Sequence, residues 1–221
     1  MFRIRIAEEG MPYLLSGGAL ALCGVPLASA GAGKAAAVVA CVGAAFAGAC
    51  AYFFRDPDRP LPADETKVFS PADGRVLSLE RGDPSGDWTL RIFLSILDIH
   101  VQRVPCSGEV RRVEYREGSF RAAMLPEASG NERNLVAFLV EGRGREVEVE
   151  QIAGFIARRI RCWIQKGECV VAGGRYGLIQ CGSQVAVRLP SEVRPCVKAG
   201  DRVIGGVTAV GEWARRPGDG A

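Results

Sequence analysis

The alternation of apolar and charged positions divides the chain at about residue 54. Met11 to Gly33 contains no charged residue, neither does Ala35 to Phe54, and only Lys34 separates them. Each run is long enough to cross a hydrocarbon core of ~30 Å at ~1.5 Å per residue. The turn-prone Ser29-Ala-Gly-Ala-Gly33 lies between them. The pattern predicts a transmembrane helical hairpin, with helices over about 11–33 and 35–54, inside an N-terminal region of residues 1–60 that ends in a linker. Gly43, Ala47 and Gly48 would let the helices approach closely. Arg3, Arg5, Arg55 and Arg59 flank the outer ends against the single Lys34. By the positive-inside rule, both ends and the domain that follows belong in the cytoplasm, at the cell membrane. A secretory signal peptide is the rival, because Ala28-Ser-Ala30 has the small residues of a cleavage site. Glu8 and Glu9 ahead of the run, and a second apolar run behind it, count against this. A shallow hairpin lying in the interface is a further alternative for runs so rich in Ala and Gly.

From Val68 onward the period changes to short alternating stretches separated by turn residues. Val76–Leu79, Thr89–Ile96, Glu109–Tyr115, Leu135–Val140 and Glu146–Glu150 read as strands. Ile152 to Ile160 has apolar residues at 152, 155, 156 and 160, which is helical spacing, and Arg158, Arg159 and Arg161 give that segment a basic side. Such a side is either a solvated face or a contact for anionic headgroups. A faint repeat runs through the domain. Pro71-Ala-Asp-Gly-Arg-Val76 returns 34 residues later as Pro105-Cys-Ser-Gly-Glu-Val110, and Gly167-Glu-Cys-Val-Val-Ala-Gly173 returns 33 residues later as Gly200-Asp-Arg-Val-Ile-Gly-Gly206. Turn glycines supply the positive φ that hairpins need. The expected fold for residues 61–221 is mainly β, an α+β domain that is compact, antiparallel and barrel-sandwich-like, with quasi-repeated hairpins and one or two short helices. The last residues, Arg215 to Ala221, read as a frayed tail.

Composition narrows the partners. A net charge of +3 over 221 residues is too small and dispersed to point to nucleic acid. Eight cysteines show no Cys-x-x-Cys spacing, and Cys23, Cys41 and Cys50 fall inside apolar runs, so free thiols in a reducing compartment are expected. His100 is the only histidine, which excludes a metal site built from several imidazoles.

The candidate chemistry centres on Tyr176-Gly-Leu-Ile-Gln-Cys-Gly-Ser-Gln-Val-Ala-Val-Arg-Leu-Pro190. Ile179, Cys181, Ser183, Val185 and Val187 share one face at a period of two, and Gly182-Ser183 interrupts the run. An arbitrary Gly-Ser pair there is a polar turn between two strands; the alternative is a bulge or tight bend. In the same plain terms, a lone His100 is a satisfied core residue and Asp73-Gly74 an ordinary turn.

The stretch resembles the self-cleavage site of the phosphatidylserine decarboxylase family, in particular its short prokaryotic form, which also includes enzymes acting on archaetidylserine. Phe53-Phe-Arg-Asp-Pro-Asp-Arg59, Ser70–Val76, Ile99-His-Val-Gln-Arg-Val-Pro-Cys-Ser-Gly108, Asn131-Glu-Arg-Asn134 and Gln151-Ile-Ala-Gly154 resemble further motifs, in the family's order. The resemblance implies that the chain cleaves itself between Gly182 and Ser183 and converts Ser183 into a pyruvoyl group. That group would form a Schiff base with membrane phosphatidylserine and decarboxylate it to phosphatidylethanolamine. The same resemblance implies a triad of Asp73, His100 and Ser183, and two fragments that stay associated. The family usually carries Phe and Arg where this chain has Cys181 and Gln184, which leaves open a form that no longer cleaves. Oligomeric state and the choice between diacyl and ether lipid are open as well. A membrane-anchored carrier or adaptor is the alternative from a different class. Lys166 and Lys198 lack the context of a modified lysine, and no heptads exist.

Overall fold

The computed structural model describes residues 4–82, 84, 86–118, 130–154, 159–180 and 183–214. It divides into two units, Met1–Asp58 and Arg59–Ala221.

In the first unit, β1 (Ile4–Ile6), α1 (Met11–Leu22), α2 (Gly24–Ser29), α3 (Gly33–Phe53) and β2 (Arg55–Pro57) follow in order. β1 and β2 pair antiparallel, Ile4 opposite Pro57 and Ile6 opposite Arg55, and so tie together the two ends of the helical region. The first apolar run is two helices rather than the single one expected over 11–33. Pro26 has no N–H to give the carbonyl of Leu22, four residues back, so the ladder breaks around Cys23. Close packing rests on small residues. A Cβ on Gly17 would stand 2.8 Å from the Ala47 nitrogen, one on Gly24 2.8 Å from the Ala36 oxygen, and one on Gly43 would collide with the Ala21 backbone. Gly48, expected in that interface, meets nothing within 4 Å. Glu8–Ser29 and Gly33–Phe53 are each long and apolar enough to cross a membrane. Leu15, Leu22, Val38 and Val42 are exposed on them.

The second unit is built from β3 (Lys67–Phe69), β4 (Gly74–Arg81), β5 (Trp88–Leu94), β6 (Val101–Arg103), β7 (Gly108–Arg116), β8 (Arg133–Val140), β9 (Glu146–Ile152), β10 (Ile160–Cys162), β11 (Cys169–Val170), β12 (Arg175–Ile179), β13 (Ser183–Leu189), β14 (Val193–Pro195), β15 (Arg202–Val203) and β16 (Ala209–Trp213). Among the described residues these form a large antiparallel sheet in the order β11-β7-β8-β9-β13-β5-β4-β15 and two small ones, β10-β12-β6 and β14-β16-β3. The domain is mostly β, as expected, and the large sheet does not close into a barrel, its edges being β11 and β15. The period of two sorts its residues. Leu90, Ile92, Leu94, Val136, Phe138, Val147, Val149, Val185, Val187 and Leu189 are fully buried in one core, each worth ~1.5–3 kcal/mol of transfer free energy. The opposite face carries ion pairs such as Arg188 with Glu148 at 3.0 Å and Arg133 with Glu150 at 3.0 Å.

The repeat seen in the sequence is a structural repeat. Gly74 opens β4 and Gly108 opens β7, and both strands bulge just after, between Val76 and Ser78 and between Val110 and Arg112. The two-residue strands β15 and β11 close on the same glycines, Val203 opposite Gly74 and Val170 opposite Gly108. A Cβ on Gly74 would collide with the Phe93 carbonyl oxygen, and one on Gly108 with the Leu139 carbonyl oxygen, so neither position admits a side chain. The helical spacing over Ile152–Ile160 has a different outcome at its ends. Ile152 finishes β9 and Ile160 opens β10, while residues 155–158, Arg158 among them, lie outside the described residues.

Candidate active site

The Gly-Ser stretch is two strands that belong to different sheets. β12 lies between β10 and β6, whereas β13 enters the middle of the large sheet between β9 and β5. Ser183 is the first residue of β13 and stands opposite Leu94, the last of β5. Its side chain is fully buried, and its Oγ has no hydrogen-bond partner among the described residues. Gly182 and Cys181 lie outside them.

His100 arrives at the same end of the sheet through the loop that follows Leu94. It is fully buried immediately before β6, and its carbonyl accepts the Ile179 N–H at 3.4 Å, so β6 aligns it with the end of the strand that leads to Ser183. Its Nδ1 is 2.9 Å from the Asp98 carbonyl oxygen. A carbonyl only accepts, so Nδ1 carries the proton and Nε2 presents a lone pair. The Asp98 carbonyl is itself held firmly. Asp98 is buried; its Oδ1 accepts from Arg202 Nη2 at 2.6 Å and its Oδ2 from the Ser95 N–H at 2.9 Å.

Asp73 sits in the turn before β4 with its carboxylate committed elsewhere. Arg59 clasps it from both ends, Nη1 to Oδ1 at 2.7 Å and Nη2 to Oδ2 at 2.8 Å, and the Gly205 N–H donates to Oδ1 at 2.8 Å. The structure thus places Ser183 and His100 at one end of β13 and β5, while the imidazole is oriented by the Asp98 backbone and the Asp73 carboxylate holds a guanidinium. Both side chains of that fork are largely buried, with exposures of 9% for Arg59 and 13% for Asp73, so the pair is charge-assisted and poorly screened.

Buried amides surround β6 and β12. The Tyr176 hydroxyl donates to Gln102 Oε1 at 2.7 Å, and Asn134 Nδ2 donates to Gln151 Oε1 at 2.8 Å. Burial, with the neighbouring Cys162 thiol adding to it, pushes the Tyr176 hydroxyl well above its usual range, so it remains a donor. Gln102 and Gln151 thus each accept through Oε1, and neither Nε2 has a partner among the described residues. A buried unmet donor costs ~1–3 kcal/mol, a cost that an acceptor in the site would remove. Arg59, Gln102, Gln151 and Arg202 are residues to which the sequence reading gave no role in the candidate site. Arg59, Gln102 and Gln151 stand inside motifs, but a motif does not say what its side chains touch.

A buried serine and the chain's one imidazole thus lie at the same end of an antiparallel sheet. Comparison with known proteins gives the lineage. The family model for phosphatidylserine decarboxylase matches residues 46–211, and the chain belongs to that family. It is 42% identical over 208 residues to a phosphatidylserine decarboxylase proenzyme of Gluconacetobacter diazotrophicus, covering 90% of each chain. The proenzyme of Saccharopolyspora erythraea is 46% identical over 176 residues, which is 75% of this chain and 74% of that one. That of Granulibacter bethesdensis is 41% identical over 210 residues, 91% of this chain and 82% of the other.

Proposed function

We propose that this chain is a pyruvoyl-dependent phosphatidylserine decarboxylase that generates its own prosthetic group at Ser183. The observation that carries the reading is Ser183 itself: a buried hydroxyl without a described partner, directly after a glycine, at the sheet end where His100 presents Nε2. His100 takes the Ser183 proton and Oγ adds to the Gly182 carbonyl carbon. The bond from that carbon to the Ser183 nitrogen then breaks, the nitrogen takes the proton, and an ester is left. Loss of the Ser183 α-proton with departure of the Gly182 carboxylate gives dehydroalanine, which hydrolyses to a pyruvoyl group and ammonia. An unmet buried hydroxyl is suited to this, because desolvation raises its reactivity once a base is at hand.

The pyruvoyl group supplies an electrophilic carbonyl, conjugated to the substrate amine, that accepts the electron pair left when carbon dioxide departs. His100, oriented through Nδ1, moves the proton at the substrate carbon. Asp73 acts in this scheme by fixing its corner of the sheet together with Arg59, and Asp98 by orienting the imidazole. Fragments 1–182 and 183–221 stay associated because β13 hydrogen-bonds on both sides to strands of the larger fragment. In this scheme the apolar helices of residues 11–53 would hold the enzyme at its lipid substrate, and the arginines at their outer flanks favour the cytoplasmic side for the catalytic unit.

The intact mass of the purified protein tests this. Two fragments are expected, with the smaller one blocked to amino-terminal sequencing because it begins with a ketone. Ser183→Ala should remain a single, inactive chain. An uncleaved chain that decarboxylates phosphatidylserine would overturn the proposal.

A further inference from the structure

The end of the large sheet that carries Ser183 also carries exposed apolar residues that the core does not use. Ile96 is 52% and Leu97 61% exposed in the turn after β5, and Ile204 is 44% and Val207 47% exposed in the turn after β15. Strand register puts these turns side by side. Arg202 lies opposite Arg75 and Arg75 opposite Phe93, so β5, β4 and β15 run out together at this end. The Arg202–Asp98 bond at 2.6 Å then ties one turn to the other. Basic residues stand around them. Arg75, Arg159, Arg161 and Arg202 are exposed, and the Arg159 carbonyl accepts from the Gln180 N–H, three residues before Ser183. At the far end of the same sheet, the turn between β8 and β9 is Glu141-Gly-Arg-Gly-Arg145, without a large apolar residue, and Val171, 55% exposed, follows β11.

We infer that Ile96, Leu97, Ile204 and Val207 form a rim that dips into the bilayer interface around the site, with the arginines against anionic headgroups. The inference rests on the proposed activity, in that a two-chain lipid offers its serine headgroup while its acyl chains stay in the membrane. The protein surface around Ser183 therefore has to meet the bilayer, and an apolar rim with a basic surround fits that boundary. The rim complements the helices of the first unit: they retain the protein at the membrane, and the rim sets the sheet end down upon it.

The test uses the full chain reconstituted in vesicles of phosphatidylcholine and phosphatidylserine. The double variant Ile96→Gln/Leu97→Gln should cleave itself normally and lose about tenfold or more in turnover of bilayer phosphatidylserine, the loss expected when two aliphatic side chains no longer leave water. Its rate on a short-chain phosphatidylserine, dissolved as monomers, should be unchanged. Equal losses on both substrates, or no loss on either, would overturn the rim. A second measurement does not depend on activity. Leu97→Trp should lose emission in vesicles with brominated acyl chains, while Val171→Trp, at the far end of the sheet, should not. Absence of that difference overturns the rim; quenching at Leu97→Trp in a chain that decarboxylates neither substrate overturns the proposed activity and leaves the rim standing.

Discussion

The two corners of the large sheet are built alike and end in different side chains. At one corner Asp73 Oδ1 accepts the Gly205 N–H at 2.8 Å; at the other, in the equivalent place, Ser107 Oγ accepts the Ala172 N–H at 3.1 Å. Val76 and Asp201 share the bond that Val110 and Glu168 share, both at 2.9 Å. The small sheets correspond as well, with the same irregular step between Arg175 and Gly177 in β12 and between Ala209 and Gly211 in β16. Where the His100 carbonyl accepts from Ile179, the Thr66 carbonyl accepts from Trp213. The candidate site is thus a set of side-chain replacements on a frame the backbone supplies twice: His100 for Thr66, and Asp73 with Arg59 for Ser107. What the far corner lacks is what distinguishes the site. The bond to Gly205 belongs to the frame, and the clasp by Arg59 belongs to the site alone.

Breaking the first replacement should have the largest effect. His100→Ala is expected to slow self-cleavage by ~10²–10⁴-fold, the usual cost of a lost acid or base, whereas Thr66→Ala should leave it unchanged. Cleavage followed by gel mobility compares the two, and normal cleavage in His100→Ala would remove His100 as the base. Next is Asp73→Ser, which copies the far corner. It keeps an acceptor for Gly205 but leaves the Arg59 charge without its carboxylate, with only the Gly205 carbonyl as acceptor among the described residues, a loss of up to about 3–5 kcal/mol for a buried pair. Adding Arg59→Met should restore most of the denaturation midpoint without restoring the cleavage rate, which Asp73→Asn alone should also lower. If the double substitution cleaves at the original rate, Asp73 serves only the frame.

A smaller effect is expected at the shared glycines. Gly74→Ala and Gly108→Ala should each cost about 1–3 kcal/mol through collision with the facing carbonyl, and only Gly74→Ala should also slow cleavage. Equal effects on cleavage would mean that the corners are coupled through the sheet. The mildest contrast is Cys106, which stands where the other corner has Ala72. Burial pushes its thiol up to about 12. The folded state therefore holds this proton more tightly than the unfolded chain, whose thiol titrates near ~8.5. That contribution is present in full below ~8.5 and is lost as pH rises from there toward about 12. Cys106 should resist alkylation in the native protein at pH 8 while the exposed Cys169 is modified, and Cys106→Ala should flatten the alkaline limb of the stability curve.

Much was legible in the sequence because its causes are local. An uncharged run is apolar whatever surrounds it, alternation at a period of two commits a strand's faces, and a paired Pro-x-x-Gly-x-Val marks two like turns. The long strands β4, β5, β7, β8 and β9 followed from such patterns. The break near Cys23 has an equally local cause in Pro26. Strands of two or three residues, such as β11 and β15, have no period to read and exist because a neighbouring backbone completes them. The site depended on still more distant partners. Gly205 reaches Asp73 from 132 residues away and Arg202 reaches Asp98 from 104, so the sequence could propose which residues carry chemistry but not which atoms face them. Asp73 was expected beside the imidazole; a guanidinium within the same unit holds its carboxylate, and the Asp98 carbonyl meets Nδ1. Residue type, spacing and lineage were fixed along the chain. Hydrogen-bond partners were decided only when the sheets brought remote backbones together, because a buried polar group takes whichever partner the fold leaves within reach.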